Sequence, residues 1–405
     1  MKKRIVLGAI VVVAVAVAAA WVFYVPILEA PDETVHFEYS TAIYAAGGLL
    51  PPRDAARTSI PAGRAVPDPA YLEDASAVAV IAEKPDVKAP AHYGSATYYG
   101  GVDSGAHAVQ RPAALLDPPL LRYYPYGYYL LDAAVMGIAS LFTSSPVALF
   151  FAARLLSTAL LVPSLLLTFA VLRRLGCSPQ LSLVLTGVAG LLPMSSMMAS
   201  SVQSDNLSFT LVMLALLAAL EVRRSPHSMW WLAVLGAALG GLLVTKVHYF
   251  LVVAAAVGAM ILTQRLDRRN WHRWPRELAV LVAPIVLLEA VQVWFQWSAP
   301  PLISTGQLGD LPDYRAAIAG GPLSIATYAG RTLGFSFLDH TFGREFGSFW
   351  GVFGWVDTPL VLGSPGITFA VWGFIAGLSI LLFGCTVVRF GQVTWRLVRI
   401  ARRGH

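Results

Sequence analysis

Charge is scarce in this chain: only 13% of its 405 residues are Asp, Glu, Lys or Arg, against 57% that are hydrophobic. A soluble domain needs far more polar surface, so most of the apolar side chains have to face lipid or other buried helices. Cysteine is nearly missing too. Cys177 and Cys385 are the two present, so the long segments between apolar runs have no disulfide framework. There is no P-loop lysine motif, no dinucleotide-binding glycine fingerprint and no zinc pattern of cysteines and histidines. A cytoplasmic nucleotide-sugar enzyme is therefore unsupported. The net charge of +6 does not indicate a nucleic-acid partner either, because the basic residues cluster at the ends of apolar runs, as cytoplasmic anchors do. No internal repeat at a fixed period is visible.

What the chain does have is long apolar runs, with a mean hydropathy of +0.64. The first, Ile5–Val25, follows the basic MKKR. A basic flank and an alanine-rich core fit a cleavable signal peptide. The length of roughly 20 residues and the bulky WVFYVPIL end fit an uncleaved span better. Further runs lie at Pro146–Leu172, Leu181–Met197, Leu207–Val222, Met229–Val244, Tyr249–Thr263, Leu278–Trp297 and Ile367–Val388. They predict an all-α polytopic membrane helix bundle of about eight spans, a single integral-membrane domain over 1–405.

A further apolar stretch, YPYGYYLLDAAVMGIASLF at Tyr124–Phe142, is read as a helix in the outer interface. Its tyrosines suit that boundary, and excluding it as a span keeps Arg173 and Arg174 cytoplasmic. The remaining charges then sort. Lys2, Lys3, Arg4, Arg223, Arg224, Arg265 and the arginines beyond Val388 fall inside, while nearly all carboxylates fall outside. Both termini are expected in the cytoplasm. Two extracytoplasmic loops remain, at 26–146 and 298–366, the second with an amphipathic helix around Pro322–Leu338. Alanine-rich spans with arginine-rich inner loops suit a bacterial inner membrane.

The most informative stretch is Glu29-Ala-Pro-Asp-Glu-Thr-Val-His-Phe-Glu-Tyr39, directly after the first span. It opens a new helix with carboxylates at the membrane surface. On helical spacing Asp32, His36 and Ser40 share one face, with Val35, Tyr39 and Ile43 on a neighbouring apolar strip. Asp32 after Pro31 reads equally well as a helix N-cap, with Glu33 favouring the helix dipole.

PDETVHF here resembles the acidic first-loop motif of the GT-C superfamily of membrane glycosyltransferases. DPPLLRYYPYGYYLL resembles that superfamily's Pro-Pro-Leu run leading into a tyrosine-rich interfacial helix. SSVQSDNLSFTL resembles its polar stretch at an outer span boundary, and GLLVTKVHYFLV its Thr-Lys-containing membrane segment. GSFWGVFGWVDTPL resembles a motif in a family of uncharacterised predicted membrane proteins assigned to the same superfamily. The matches stand in the expected order and cover most of the chain.

The resemblance implies that an acidic first-loop residue acts as base on an acceptor hydroxyl. It gives that role to Asp32, with Glu33 as the alternative. It also implies a polyprenyl-phosphate-linked sugar as donor and an extracytoplasmic glycan or glycolipid as acceptor. The developing phosphate charge needs cations at the bilayer surface; the candidates are Arg122, Lys246, Arg331 and Arg344, with His248 beside Lys246. Lys246 interrupts an apolar stretch, which marks it for function or for snorkelling. Asp205 could orient the acceptor, hold a divalent cation together with Asp32, or cap the helix before Leu207. His36 could bind sugar, phosphate or metal, or be structural. No cofactor is certain. Two competing readings are a non-catalytic scaffold in envelope glycan assembly and a lipid-linked-glycan flippase. A flippase predicts internal repeats and midplane polar groups, whereas here the ionisable residues crowd the outer surface.

Overall fold

The computed structural model describes residues 2–28, 30, 32–47, 66–67, 72, 125–225, 228–265, 273–298, 352–353 and 358–359, with 2, 259–265, 294–298, 352–353 and 358–359 described as backbone alone. Ten helices are found among the described residues: α1 (Lys2–Tyr24), α2 (Glu33–Ala45), α3 (Gly127–Ala139), α4 (Pro146–Arg174), α5 (Pro179–Leu191), α6 (Pro193–Met198), α7 (Ser204–Arg224), α8 (Met229–Leu243), α9 (Val247–Arg265) and α10 (Trp274–Ser298). Among the described residues the one exception to the all-helical fold is a two-residue antiparallel pair, β1 (Val352–Phe353) with β2 (Thr358–Pro359). Three helices, at Lys3–Tyr24, Pro146–Arg174 and Ser204–Arg224, are long and apolar enough to cross a membrane, and α3, α5, α8 and part of α9 are shorter apolar helices. The chain is a helical membrane bundle.

The expected spans at Ile5–Val25, Pro146–Leu172, Leu207–Val222, Met229–Val244, Tyr249–Thr263 and Leu278–Trp297 each correspond to a single helix. The run Leu181–Met197 does not. Pro193 has no N–H and pushes the residue before it out of the helical region, so Leu192 sits at ψ 126° and the run divides into α5 and α6. The expected span Ile367–Val388 and the expected helix at Pro322–Leu338 lie outside the described residues.

Local chemistry starts and stops the long helices. Ser145 Oγ accepts from Ala148 N at 3.0 Å ahead of Pro146, and Ser178 and Ser228 cap α5 and α8 in the same way. Arg173 and Arg174 close α4 and Arg223 and Arg224 close α7, where cations complement the helix dipole. Helix α1 lays Ala14 and Ala18 against Leu161 and Leu165 of α4, while Val12, Val13 and Phe23 stay exposed, as a lipid-facing surface requires. A second core joins Ala215, Ala218 and Ala219 of α7 to Leu235, Ala238 and Leu242 of α8.

At one end of the bundle the C-terminus of α1, the start of α4, the turn before α7, the α8–α9 junction and the last turns of α10 converge on α2 and α3. The other end gathers the C-termini of α4 and α7, joined by an ion pair between Arg174 and Glu221. Helices α2 and α3, 13 residues each, are about 20 Å long at 1.5 Å per residue, short of a hydrocarbon core of about 30 Å.

Candidate functional site

The site is built around a buried ion pair. Arg154, in the first half of α4, is 1% exposed and donates from Nε and a terminal nitrogen to both oxygens of Glu33, at 2.8 and 2.6 Å. Its remaining N–H groups donate to the carbonyls of Val22, Val25 and Pro26 at 2.7 to 2.8 Å, satisfying the frayed end of α1. Glu33 Oε1 also accepts from Val202 N at 2.9 Å. One bidentate pair thus fastens α1, α2, α4 and the turn before α7 together, which fits the geometry that makes Arg–carboxylate pairs strong.

Asp32 stands next to this anchor and is free of it. Its backbone is left-handed, at φ 58° and ψ 7°, and its side chain makes no capping hydrogen bond. The side chain is exposed. Leu28, a few residues earlier, is left-handed as well, at φ 63°. Such residues store on the order of 1 kcal/mol each and persist where neighbouring structure imposes them; here the Glu33–Arg154 pair is that neighbour. Helix α2 begins at Glu33, so Asp32 does not extend the face of His36 and Ser40 as helical spacing suggested. It is turned outward while they are buried. The expected N-cap contact is likewise not made.

His36, one turn into α2, is 3% exposed, and its Nδ1 lies 2.6 Å from the Tyr129 hydroxyl of α3. The two rings stack at 5.7 Å. Burial pushes the imidazole down to about 4; the Lys246 charge adds to the fall and Asp205 opposes it. His36 is therefore neutral at physiological pH. On the same flank of α2, Asp132 of α3 is wholly buried, and neither of its carboxyl oxygens has a hydrogen-bond partner. Burial lifts it to about 7, the Glu33 charge adds to the rise, and the Ser40 hydroxyl opposes it from just outside hydrogen-bond geometry.

Lys246, at the α8–α9 junction, donates to Asp205 Oδ2 at 2.6 Å, with the two side chains 21% and 33% exposed. Asp205 is in the first turn of α7, not at its cap, which is Gln203; the capping alternative fails. His248 is exposed and touches Tyr249, with ring centroids 4.9 Å apart. The structure thus pairs Lys246 with Asp205 and sets Glu33 against the turn that leads into Asp205's helix, while Arg122, Arg331 and Arg344 lie outside the described residues.

Three of the tyrosines expected at the water boundary are interior groups, with Tyr128 and Tyr129 0% exposed and Tyr126 5%, while Tyr124 lies outside the described residues. Tyr128 OH accepts from Gln203 N at 3.1 Å and bonds Ser157 Oγ at 2.8 Å. Tyr126 N donates to the buried Gln292 Oε1 at 3.1 Å, which ties the start of α3 to α10. Among the described residues no group of three His, Cys, Asp or Glu side chains gathers to hold a metal ion.

A family model of predicted membrane proteins (DUF2142) matches residues 15–401. The chain belongs to this family. No curated protein and no solved structure matches it. The matched region includes both Glu33 and Arg154. Arg154 itself is not apparent from motif reading. The available signal was an arginine inside the apolar run VALFFAARLLST, where a charge needs a partner.

Proposed function

We propose that this protein is an integral-membrane glycosyltransferase of GT-C type, moving a sugar from a polyprenyl-phosphate donor to an extracytoplasmic glycan or glycolipid, with Asp32 as base. One observation carries the reading: the carboxylate of Asp32 is exposed and uncommitted on a left-handed backbone, next to a glutamate wholly consumed in anchoring. Between the two acidic candidates, Asp32 is the one free to take a proton. Glu33 is a positioning residue.

In the proposed reaction Asp32 removes the proton of an acceptor hydroxyl as that oxygen attacks the anomeric carbon. The bond from that carbon to the phosphate oxygen breaks, and the polyprenyl phosphate leaves with the electron pair. A single displacement inverts the anomeric centre. Lys246 is the described cation nearest in role to the leaving phosphate, held in place by Asp205 and still partly exposed.

The test is sugar transfer from polyprenyl-phosphate donors by the purified full-length chain, comparing wild type with Asp32→Asn. The expected loss is at least ~100-fold, the scale of a missing general base. Undiminished turnover by a folded Asp32→Asn variant removes Asp32 from the mechanism. Translocation of a lipid-linked glycan with no transfer supports the flippase reading instead.

A further inference from the structure

The end of the bundle opposite Asp32 holds an open cavity of about 360 Å³, lined by Arg174, Leu175, Leu220, Arg223 and Arg224. That volume lies in the lower range of ligand sites. Arg174 is neutralised by its ion pair with Glu221. Arg223 and Arg224 have no hydrogen bond or ion pair among the described residues, and both are exposed. Their place at the C-terminus of α7 favours the helix dipole but leaves the guanidinium N–H groups without a described acceptor. Arg173, the neighbour that does serve as a cap, folds back to donate to the Cys177 carbonyl and does not line the cavity. Two guanidiniums without a described carboxylate partner therefore face a cavity whose other walls are Leu175, Leu220 and the paired Arg174, where two membrane helices emerge from their apolar stretch.

We propose that this cavity is a binding site for the phosphate of an anionic phospholipid. Guanidinium forks match phosphate oxygens bidentately, and basic pockets between membrane helices take such headgroups. Leu175, 61% exposed, and Leu220 give the glycerol and first acyl carbons an apolar wall, which a free phosphate would leave unused. The site is independent of the transfer reaction and uses none of its residues.

The experiment titrates full-length protein in neutral detergent with short-chain phosphatidylglycerol, short-chain phosphatidylcholine and inorganic phosphate. Phosphatidylglycerol is expected to saturate a site that Arg223→Gln/Arg224→Gln weakens at least ~10-fold, given roughly fivefold per basic residue. Arg223→Lys/Arg224→Lys keeps the charge but loses the forks and is expected to bind more weakly than wild type and more tightly than the Gln pair, with unchanged melting excluding misfolding. Arg173→Gln removes the same charge one position from the cavity and is expected to leave binding unchanged. Equal binding of phosphatidylcholine, or an equal loss in Arg173→Gln, would show diffuse surface attraction and overturn the site. Displacement by inorganic phosphate at matched concentration overturns the lipid as its ligand.

Discussion

Arg154 and Glu33, 121 residues apart, form a bidentate ion pair in which both side chains are at most 1% exposed. Breaking a buried pair strands a charge and costs about 3–5 kcal/mol, whereas replacing both partners with apolar groups is often neutral. Arg154 also satisfies three carbonyls at the end of α1, so here the double replacement restores only part of the loss. Thermal unfolding in detergent is expected to rank wild type first, Glu33→Gln/Arg154→Met next, and Arg154→Met and Glu33→Gln lowest. Single variants as stable as wild type would remove the pair as the anchor of the site.

His36 and Asp132 make opposite contributions to pH dependence. The His36 pKa is lowered to about 4, so the unfolded chain binds its proton more readily and His36 stabilises less as pH falls from 6.5 toward 4. The Asp132 pKa is raised to about 7, so the folded chain binds that proton more readily and stability falls as pH rises from about 4 to 7. Each slope is about 1.4 kcal/mol per pH unit, and in the shared window the two nearly cancel. Wild-type stability is expected to be almost flat from pH 4 to 6.5. Asp132→Asn should gain on the order of a few kcal/mol at pH 8 and become acid-sensitive, while His36→Gln should become base-sensitive. Parallel curves for all three proteins would contradict both assignments.

The element map was legible because apolar runs and their basic ends are one-dimensional signals. Ser145, Pro146 and the Arg173–Arg174 pair mark the limits of α4 without any tertiary information. Long-range partners are not signals of that kind. The sequence shows Glu33 as one of two neighbouring acids and Arg154 as a charge in an apolar run, but only their apposition shows that Glu33 is spent and Asp32 free. Helical periodicity also misplaced Asp32, because a left-handed residue at the helix start breaks the 100° progression that the face argument assumes. The tyrosines of α3 look like a boundary girdle until α2 is seen packed over them.

Gly127 opens α3 where its N–H donates to the Val244 carbonyl at 2.7 Å, and a Cβ there would lie 2.7 Å from the same oxygen. Backbone cannot swing aside as a flexible side chain does. Gly127→Ala therefore has to push α3 away from the α8–α9 junction, and Val244 is two residues before Lys246. Overpacking of this kind costs about 1–3 kcal/mol. The expected result is a lower melting temperature together with weakened transfer activity, although residue 127 carries no functional group. Unchanged melting would mean that the contact between α3 and the junction is looser than 2.7 Å.

Lys246 and Asp205 are half-exposed partners at 2.6 Å, so the pair adds about 0–1 kcal/mol to stability, and its larger effect is on the charge felt by neighbours. Lys246 lowers the His36 pKa and Asp205 raises it. Lys246→Gln is therefore expected to raise the His36 pKa and Asp205→Asn to lower it, each with melting within about 1 kcal/mol of wild type. Nitrogen-detected NMR of isotope-labelled histidine reads that titration directly and needs no substrate. If Lys246 also meets a leaving phosphate, Lys246→Gln loses on the order of 100-fold in kcat. Asp205→Asn, which releases the ammonium from its carboxylate, then binds the anionic donor more tightly. An unmoved His36 in both variants would separate the ion pair from the α2 site.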